Sequence, residues 1–489
     1  MSFVVWPFTH IGGVGLVVKR EQTQVNLLTR LDRIPLTKSV LGLITLLALV
    51  WLAEAFDIGI VGPVLSTLEK TWSLQNWQSG LLAVASTLGV VVGMIPAGWL
   101  ADRIGRRQVV LWGILWFSVL TLLGAVSANY GMLLAVRVLA GIGEGAVLPM
   151  PYLFLSEFVN RGRRAVSVGY SNGILTAAYV VPSLASLWAL HTFAPEVAWR
   201  VPFLLGGIPL LVLIPLYLWL PESPRFLLKR GAENKVEAMV CRLEAQAHLP
   251  HDTTLYDEQI AAALDELPPT SWMVAKSMLR APYLVRSVLV VLQLTAALIL
   301  FYIVQVFGPS LFLTRGFGTG SSILYAGMMM VTAGVGSIVQ GYLSDRVGRK
   351  RVLIAYAALA AAGCILFAAS SVPAWMVVAG FLASFFGLGI FPVSKLSSAE
   401  QYPTELRGRG VYLNEMMART LSGIVTTYFI PFVLTASGST VIFIGIAVVL
   451  VGFNLPYFLF ARETAGMQME QAGTQSVFPA KSAEFQASH

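Results

Sequence analysis

The chain has 489 residues, of which 56% are hydrophobic and only 12% carry a charged side chain. A soluble protein of this length would lack the polar groups needed to cover its surface, so the composition indicates a chain solvated by lipid. The net charge is +8, but the basic residues lie in short loops between apolar runs, which argues against nucleic-acid binding. With only Cys241 and Cys364, we expect neither a disulfide framework nor a thiolate metal site.

Residues 1–40 are expected to form an N-terminal tail. Residues 1–18 are mildly apolar, but their positive charges follow the apolar part, so a cleaved signal peptide is not expected. A start codon assigned too early would account for this tail equally well.

Apolar stretches of about 20 residues, enough to cross ~30 Å of hydrocarbon, occur twelve times. They predict an all-α membrane protein in which twelve transmembrane helices form two pseudo-symmetric six-helix bundles, at 41–220 and 287–461. The approximate spans of helices 1 to 12 are 41–65, 79–100, 108–127, 131–155, 167–190, 200–220, 287–312, 322–343, 352–370, 374–398, 409–434 and 438–461.

Residues 221–286 separate the bundles, and their charged residues predict a connector with one or two short helices; residues 462–489 form a C-terminal tail. Most of the 33 Lys and Arg residues lie on one side of the predicted membrane. Three fall inside spans and three in loops of the other side, which leaves 27 for the connector side. The excess predicts that the connector and both termini are cytoplasmic, in a bacterial inner membrane.

A twelve-residue segment after helix 2 returns after helix 8. Residues 98–109 and 341–352 are identical at seven positions with an offset of 243. Glu157 and Glu400 have the same offset, and an Arg-Gly-Arg triplet follows each of them. Two landmarks at one offset indicate that the halves are copies of one membrane unit, with the ligand between them.

The repeated Gly-x-Leu-x-Asp-Arg-x-Gly-Arg-Arg/Lys loop resembles the signature loop of the major facilitator superfamily, and the resemblance covers about residues 40–465. Pro221-Glu222-Ser223-Pro224-Arg225-Phe226-Leu227 is similar to the segment after helix 6 in sugar porters and their organic-ion relatives. The resemblance implies a cytoplasmic charge network that gates the transporter. Its members would be Gly98, Asp102, Arg103, Arg106, Gly341, Asp345, Arg346, Arg349, Glu157, Arg161, Glu222, Arg225, Glu400 and Arg407.

The residue types in the repeated loops fit gates better than binding sites. Gly98 and Gly341 remove a side chain where two helices must approach closely. Asp102 and Asp345 end a helix near Arg residues and can bind the positive end of a neighbouring helix. Charge that only sets topology would explain the Arg and Lys residues but not the repeated Asp.

Helix 7 departs from the sugar-porter pattern. Those porters carry a Gln followed five residues later by an Asn, whereas here Gln293 is followed by Leu298. A Leu at that position leaves sugar hydroxyls unpaired in a dry cavity, at a cost of roughly 1 to 3 kcal/mol for each. The pattern therefore disfavours a sugar as substrate.

Two segments point to organic acids instead. Glu54-Ala55-Phe56-Asp57 resembles the Asp-x-x-Asp pattern of aromatic-acid:proton symporters, with Glu in place of the first Asp. Residues 400–408 look like the segment before helix 11 in organic-ion, synaptic-vesicle-like and nicotinate-type carriers. Both resemblances imply a proton-coupled organic-acid symporter.

Three acids are candidates for proton coupling: Glu54, Asp57 and Glu144. Glu54 and Asp57 share a helix face with Cβ atoms about 5–6 Å apart, and two carboxylates that close cannot both ionise cheaply in a low dielectric. One of them should hold a proton. Alternatively, the pair lines a water-filled funnel without titrating.

Arg137 and Glu144 lie two turns apart on one face of helix 4, so both can point into a central cavity. The planar fork of Arg137 matches a carboxylate in a bidentate way, which makes it a candidate substrate anchor. Alternatively, it pairs with an acid such as Asp57 and locks one state. Arg419 in helix 11 is a second candidate anchor, with Glu415 as its alternative partner.

Further candidate substrate contacts are Tyr302, Gln293 and Asn172. Lys395 lies near the cytoplasmic end of helix 10, where we expect its long stem to reach the membrane surface. In helix 4, three alternating glycines at 141–145 permit close packing, and Pro149-x-Pro151 predicts a bend.

No His-Cys cluster, phosphate-binding loop or nucleophile elbow occurs, so we expect neither an enzyme nor a metal or cofactor protein. The sequence predicts a monomeric secondary transporter that takes up a small organic acid, an aromatic carboxylate or nicotinate-like compound, with protons. Three alternatives remain. A sugar or polyol symporter would need the missing amide, an organic-cation or drug efflux carrier would need uncompensated acids, and a transporter-derived sensor would need a larger cytoplasmic domain.

Overall fold

The structure is a computed structural model, which describes residues 11–160, 164–258, 283–402, 404–461 and 463. All regular elements in these ranges are helices, as the sequence predicts. Eleven of the described helices are long and apolar enough to cross a membrane. The last of them, Leu413–Phe460, has 48 residues and turns at Gly438, where φ is 73°. Because glycine tolerates this left-handed conformation, the segment supplies two crossings, and the twelve predicted helices are confirmed.

The crossings of the first bundle are several helical pieces joined end to end. Helices 2 and 3 are continuous, whereas helices 1, 4, 5 and 6 are interrupted. In chain order the pieces are Lys38–Gly59 and Val61–Thr71, Asn76–Ile104, Arg106–Ala125, Tyr130–Val147 and Met150–Phe158, Arg164–Ala178 and Val180–Thr192, and Pro195–Ala198, Arg200–Leu205 and Pro209–Trp219.

The second bundle repeats this plan. Helices 7, 8 and 9 are continuous, helix 10 is broken, and helix 11 contains a π-helical segment before it continues through Gly438 into helix 12. The pieces are Tyr283–Leu313, Thr319–Val347, Arg349–Ala369, Pro373–Gly387 and Phe391–Glu400, and Thr404–Arg419, Thr420–Thr426 and Thr427–Phe460.

The 243-residue repeat of the sequence is also present in the bounds of the helices. Helices 2 and 8 have 29 residues each and begin at Asn76 and Thr319. Gly105 and Gly348 end them with φ values of 97° and 102°, which only glycine adopts without strain. Helices 2, 3 and 4 therefore correspond to helices 8, 9 and 10.

Helices 4 and 10 break at matching places. Helix 4 is interrupted between Val147 and Met150 at Pro149, which confirms the predicted bend. Helix 10 is interrupted between Gly387 and Phe391, just before Pro392, which follows Pro149 by 243 residues. Proline has no N–H and its ring crowds the preceding turn, so each break separates the two halves of a crossing.

The N-terminal tail contains a helix that the sequence did not predict, Ile11–Asp32. It packs on the second of two connector helices, Pro224–Lys229 and Glu233–Ala247, which the sequence did predict. Leu27 and Val236 are buried in the core shared by these elements and the first bundle. The N-terminal tail is therefore docked against the connector from about Leu27 onward.

We call the end of the bundles next to the connector the connector side and the other end the far side. Helices 5 and 8 pack together between the bundles, and a Cβ at Gly169 would lie 3.3 Å from the Cα of Gly341. At the far side, Asn76 at the start of helix 2 donates a hydrogen bond to the Thr435 hydroxyl of helix 11 at 3.1 Å, and nearer the middle Gln305 of helix 7 donates to the carbonyl of Ile58 at 3.0 Å. The two bundles are therefore in contact at their far ends.

Candidate functional site

Asp57 and Arg137 form a buried ion pair inside the first bundle. Arg137 Nη1 donates to both carboxylate oxygens of Asp57 at 3.1 Å, and Nη2 donates to the Asp57 backbone carbonyl, also at 3.1 Å. The hydroxyl of Thr121 donates to Asp57 Oδ1. Both charged side chains are 0% exposed. Of the two roles that the sequence left open for Arg137, the structure shows the partner of Asp57.

Glu144 completes this cluster on the same face of helix 4 as Arg137. Its Oε1 lies 3.8 Å from Arg137 Nη2, and the side chain is fully buried. Within the described residues, neither carboxyl oxygen of Glu144 has a hydrogen-bond partner. The Arg137 guanidinium therefore lies beside two carboxyl groups, and most of its hydrogen bonds go to Asp57.

A second charged cluster lies in the second bundle, on helices 10 and 11. Glu415 Oε1 accepts from Arg419 Nε at 3.1 Å and from Nη2 at 2.9 Å, and it lies 3.4 Å from Lys395 Nζ. Arg419 Nη1 donates to the hydroxyl of Tyr302 at 2.9 Å. The side chains of Lys395, Glu415 and Arg419 keep 12%, 9% and 7% of their exposure. Two cations here share one carboxylate.

The predicted position of Lys395 is wrong. Its ammonium does not reach out to the membrane surface but lies over the ring of Tyr152 in helix 4, 4.5 Å from the ring centre. Glu415 and the π face of Tyr152 together offset the cost of burying the charge. Lys395 therefore joins the two bundles.

The carboxyl groups of Glu54 and Asp57, which the sequence predicted to share one site, lie within electrostatic range of each other but have different partners. Asp57 bonds within the first bundle, whereas Glu54 lies within electrostatic range of Arg419, Lys395 and Glu415. Glu54 is buried, and its Oε2 has no hydrogen-bond partner in the described part of the chain. The three-residue spacing turns the two side chains toward different neighbours.

Asn172 and Gln293, predicted substrate contacts, are buried and already hydrogen-bonded. Asn172 accepts from the Tyr152 hydroxyl at 2.9 Å and donates to Ser337 of helix 8 at 3.3 Å, so it bridges the bundles. Gln293 donates to Ser394, and its Oε1 has no partner among the described residues.

The two bundles place their charges differently. The positions 243 residues after Asp57, Arg137 and Glu144 are occupied by Leu300, Gly380 and Gly387, so the second bundle has apolar packing there. A side chain at Gly387 would clash with Leu300. Conversely, the residue 243 positions after Tyr152 is Lys395. Each bundle therefore carries its own ionic cluster at a different place.

Several predicted gating residues meet at the connector side of the first bundle. The Arg106 side chain pairs with Glu157 and donates to Ser223 Oγ at 2.8 Å. Glu222 Oε1 accepts from the backbone N–H groups of Arg106 and Arg107 at 3.0 and 3.2 Å, a favourable place for an anion at a helix start. These contacts tie helices 3 and 4 to the connector within one bundle.

The second bundle has a matching acid that the sequence reasoning missed. Glu463 accepts from the backbone N–H groups of Arg349 at 2.9 Å and Lys350 at 3.1 Å. Glu463 follows Glu222 by 241 residues instead of 243, so a search at the fixed offset passes over it. Glu463 could have been identified as an acidic residue that directly follows the last helix of its bundle, as Glu222 does in the first.

Gly341 lies at a close approach of helices 5 and 8, whereas a Cβ at Gly98 would have no described atom within 4 Å in this state. Helix 8 packs on helix 5 at this level, whereas nothing described lies within 4 Å of the corresponding point on helix 2. Arg103 and Arg346 each stack on an aromatic ring, Trp99 at 4.5 Å and Tyr342 at 4.1 Å.

The remaining predicted gating residues are only partly covered by the structure. Arg225 lies in the first connector helix. Arg161 lies outside the described residues, as do the side chains of Asp102, Asp345, Glu400 and Arg407. Their predicted contacts stay predictions.

A group of potential metal ligands, which the sequence reasoning did not anticipate, comes together in the connector. Ligand atoms of Glu237, Cys241 and His251 lie within 4.8 Å of one another. The guanidinium of Arg30 is already among them, 2.9 Å from Glu237, 2.8 Å from His251 Nδ1 and 2.6 Å from Glu244. The hydrogen bond with Glu244 raises the pKa of Arg30, so a permanent cation holds this position.

Comparison with known proteins also shows that this chain is similar to transporters. The niacin transporter NiaP of Acinetobacter baylyi is 26% identical over 450 residues, 92% of this chain and 100% of that protein. The gallate transporter of Pseudomonas putida is 26% identical over 390 residues, 78% of this chain and 83% of that protein. The solved structure of the proton:xylose symporter XylE with 6-bromo-6-deoxy-D-glucose superposes with a TM-score of 0.72 at 18% identity, covering 88% and 98% of the two chains.

At that identity the XylE structure shows the fold alone, two six-helix bundles of the major facilitator type. The family model described as "Sugar (and other) transporter" matches residues 43–475, which is most of the chain. The chain therefore belongs to the sugar (and other) transporter family, whose members are multi-pass membrane transporters of the major facilitator superfamily.

Proposed function

We propose that this protein imports a small organic acid, an aromatic carboxylate or a nicotinate-like compound, together with protons. The observation that carries the proposal is the set of charges formed by the two clusters with Glu54, which, among the described residues, places three cations against four carboxyl groups. A monoanion added to this set in a low dielectric is favourable only if carboxyl groups take up protons. The set consists of Arg137, Lys395, Arg419, Glu54, Asp57, Glu144 and Glu415.

The anion site belongs to the second cluster. Arg137 is paired with Asp57 and sealed from solvent, whereas Lys395 and Arg419 share one carboxylate and keep some exposure. Tyr302 bonds Arg419 and Tyr152 lies under Lys395, so aromatic rings flank both cations. A flat aromatic acid suits such surroundings, with its carboxylate on the cations and its ring against the tyrosines.

The first cluster supplies carboxyl groups that take up the proton and pass it toward the second cluster. Glu144 is fully buried and accepts no hydrogen bond from the described residues, so it is costly to hold as an anion. Protonation of Glu144 or Asp57 changes how Arg137 divides its hydrogen bonds between them. Glu54, between this pair and the second cluster, links proton uptake to anion binding.

Alternating access follows from the contacts between the bundles. The far ends touch through Asn76 and Thr435, while no described atom lies within 4 Å of a Cβ at Gly98 on the connector side of helix 2. With the connector and both termini in the cytoplasm of a bacterial inner membrane, this is a state closed to the outside in which helices 5 and 8 still touch at the connector side. The gating loops close that side in the opposite state.

The relatives support an organic acid, since the names of several refer to niacin, gallate and benzoate. A sugar or polyol is the second candidate, favoured by the fold shared with a xylose symporter and by the unsatisfied amide oxygen of Gln293. Leu298, where sugar porters carry an Asn, is buried in the apolar core and offers no hydrogen bond.

The test is uptake of a labelled panel in cells that lack their own carriers. The panel contains nicotinate, hydroxybenzoates, hexoses and quaternary amines. We expect uptake of a carboxylate that increases as the external pH falls and collapses with a protonophore. Uptake of a hexose alone would establish the second candidate, and uptake of an amine would contradict both.

A further inference from the structure

Glu415 holds the place where an anionic ligand would bind. All of its described contacts use one oxygen, Oε1, which two nitrogens of Arg419 and the ammonium of Lys395 approach within 3.4 Å. An Arg fork and a Lys on one carboxylate are the donors that a carboxylate ligand requires. The geometry therefore shows a carboxylate site occupied by the protein's own side chain.

Packing alone does not require these charges. In the first bundle, Tyr152 holds the position that corresponds to Lys395, and it bonds neutral Asn172 of helix 5 at 2.9 Å. A neutral pair thus joins helices 4 and 5, whereas the second bundle joins helices 10 and 11 with ions. An ion pair at this depth costs free energy of desolvation that the neutral hydrogen bond avoids. This cost points to a functional reason for the ion pair.

We propose that Glu415 is a resident counter-ion that occupies the substrate's carboxylate site on Lys395 and Arg419 and leaves it as a neutral acid when the substrate binds. This inference rests on the proposed function and names the residues of its anion site. A proton from cavity water adds to the Glu415 carboxylate, and the substrate monoanion takes over the hydrogen bonds. The charge of the site stays at one positive unit, so one proton accompanies one monoanion.

The surroundings of Glu415 include both signs of charge. Its own helix supplies Arg419, and helix 10 supplies Lys395. The groups within electrostatic range on other helices are Tyr152 of helix 4 and Glu54 of helix 1, and Tyr302 of helix 7 reaches the site through Arg419. The two cations oppose protonation of Glu415 until a second anion compensates them, so protonation and substrate binding favour each other.

The test is equilibrium binding of radiolabelled nicotinate and hydroxybenzoate to the purified protein between mildly acidic and mildly alkaline pH. For the parent, we expect Kd to fall about tenfold per pH unit of acidification, because one proton is taken up with each anion. Glu415→Gln removes the competing charge, so binding becomes tight and independent of pH. Glu196→Gln on the exposed far surface is the control and keeps the parental pH slope.

A charge-balanced pair of variants guards against simple unfolding. Lys395→Gln leaves Arg419 neutralised by Glu415, so the anion binds at least tenfold more weakly than to the parent. Adding Glu415→Gln restores one free cation, and binding recovers without pH dependence. A Glu415→Gln protein with the parental pH slope, or a double variant as weak as Lys395→Gln, overturns the inference alone. A parent that binds neither acid contradicts the proposed function, and the inference falls with it.

Discussion

Glu54 and Asp57 lie one turn apart on helix 1, yet their carboxyl groups interact with different bundles. Asp57 bonds Arg137 inside the first bundle, and Glu54 lies in the field of Arg419 and Lys395 in the second. A single helix turn therefore lies between the two ionic clusters. A change of charge at one cluster can reach the other through this turn.

Asp57→Asn should abolish accumulation of the substrate against its gradient. The amide cannot balance Arg137, and breaking a buried ion pair by removing one partner costs about 3 to 5 kcal/mol. Accumulation of labelled acid in proteoliposomes with an imposed pH gradient checks this, with thermal stability measured alongside. An Asn variant that concentrates substrate as the parent does would contradict the role of Asp57.

Arg137→Lys should fail to replace Arg137. Its guanidinium makes three hydrogen bonds to Asp57 in fixed directions, and a single ammonium cannot reproduce them. We expect a lower melting temperature and lost uptake, although the charge is kept. Lys70→Arg at the end of helix 1 makes the reverse exchange of Lys for Arg and serves as the control. We expect it to keep the melting temperature and the uptake of the parent. Parental stability and uptake of Arg137→Lys would show that the directed bonds do not matter.

Two glycine variants should shift the conformational balance in opposite directions. A Cβ at Gly62 would clash with the Gln305 carbonyl, so Gly62→Ala holds the far ends apart and depletes the state described here. Gly98→Ala meets open space in this state and hinders only closure of the connector side. Labelling of single cysteines placed on each side measures the balance, and Gly445→Ala, also facing open space, is the control. Equal labelling in both variants would refute this assignment of states.

Arg30→Gln should release the N-terminal helix from the connector. Burial raises the pKa of Glu237, but the hydrogen bonds from Arg30 and Cys241 and the nearby positive charge of Arg30 together outweigh burial and lower that pKa. A lowered pKa in the folded state means that docking is stable above the ordinary Glu range and is lost as the pH falls through the lowered value. Hydrogen exchange of residues 22–32 should show this acid dependence in the parent and in exposed Arg33→Gln. In Arg30→Gln, the exchange of these amides should be fast at every pH. Protected amides in this variant would contradict the role of Arg30 in docking the N-terminal helix.

The residue pattern predicts the scaffold better than the sites. Apolar spans, the repeated loop and Pro149 are local features, so the twelve helices, the helix bounds and the bend follow from them. The partners of Lys395 and Glu54 depend on how a broken helix 10 and helix 1 are rotated against other helices, which spacing does not encode. The N-terminal helix carries an amphipathic pattern in which Leu27, Leu28 and Leu31 are buried, and a search for apolar spans of about 20 residues passes over it.

The most direct test of the account follows proton movement in proteoliposomes that hold the purified protein at zero membrane potential. Addition of the transported carboxylate to a weakly buffered outer medium should make that medium more alkaline, at one proton per substrate molecule. Asp57→Asn should abolish the signal. Carboxylate uptake without any change of external pH, or alkalinisation caused by a hexose and not by the acid, would contradict proton-coupled organic-acid transport.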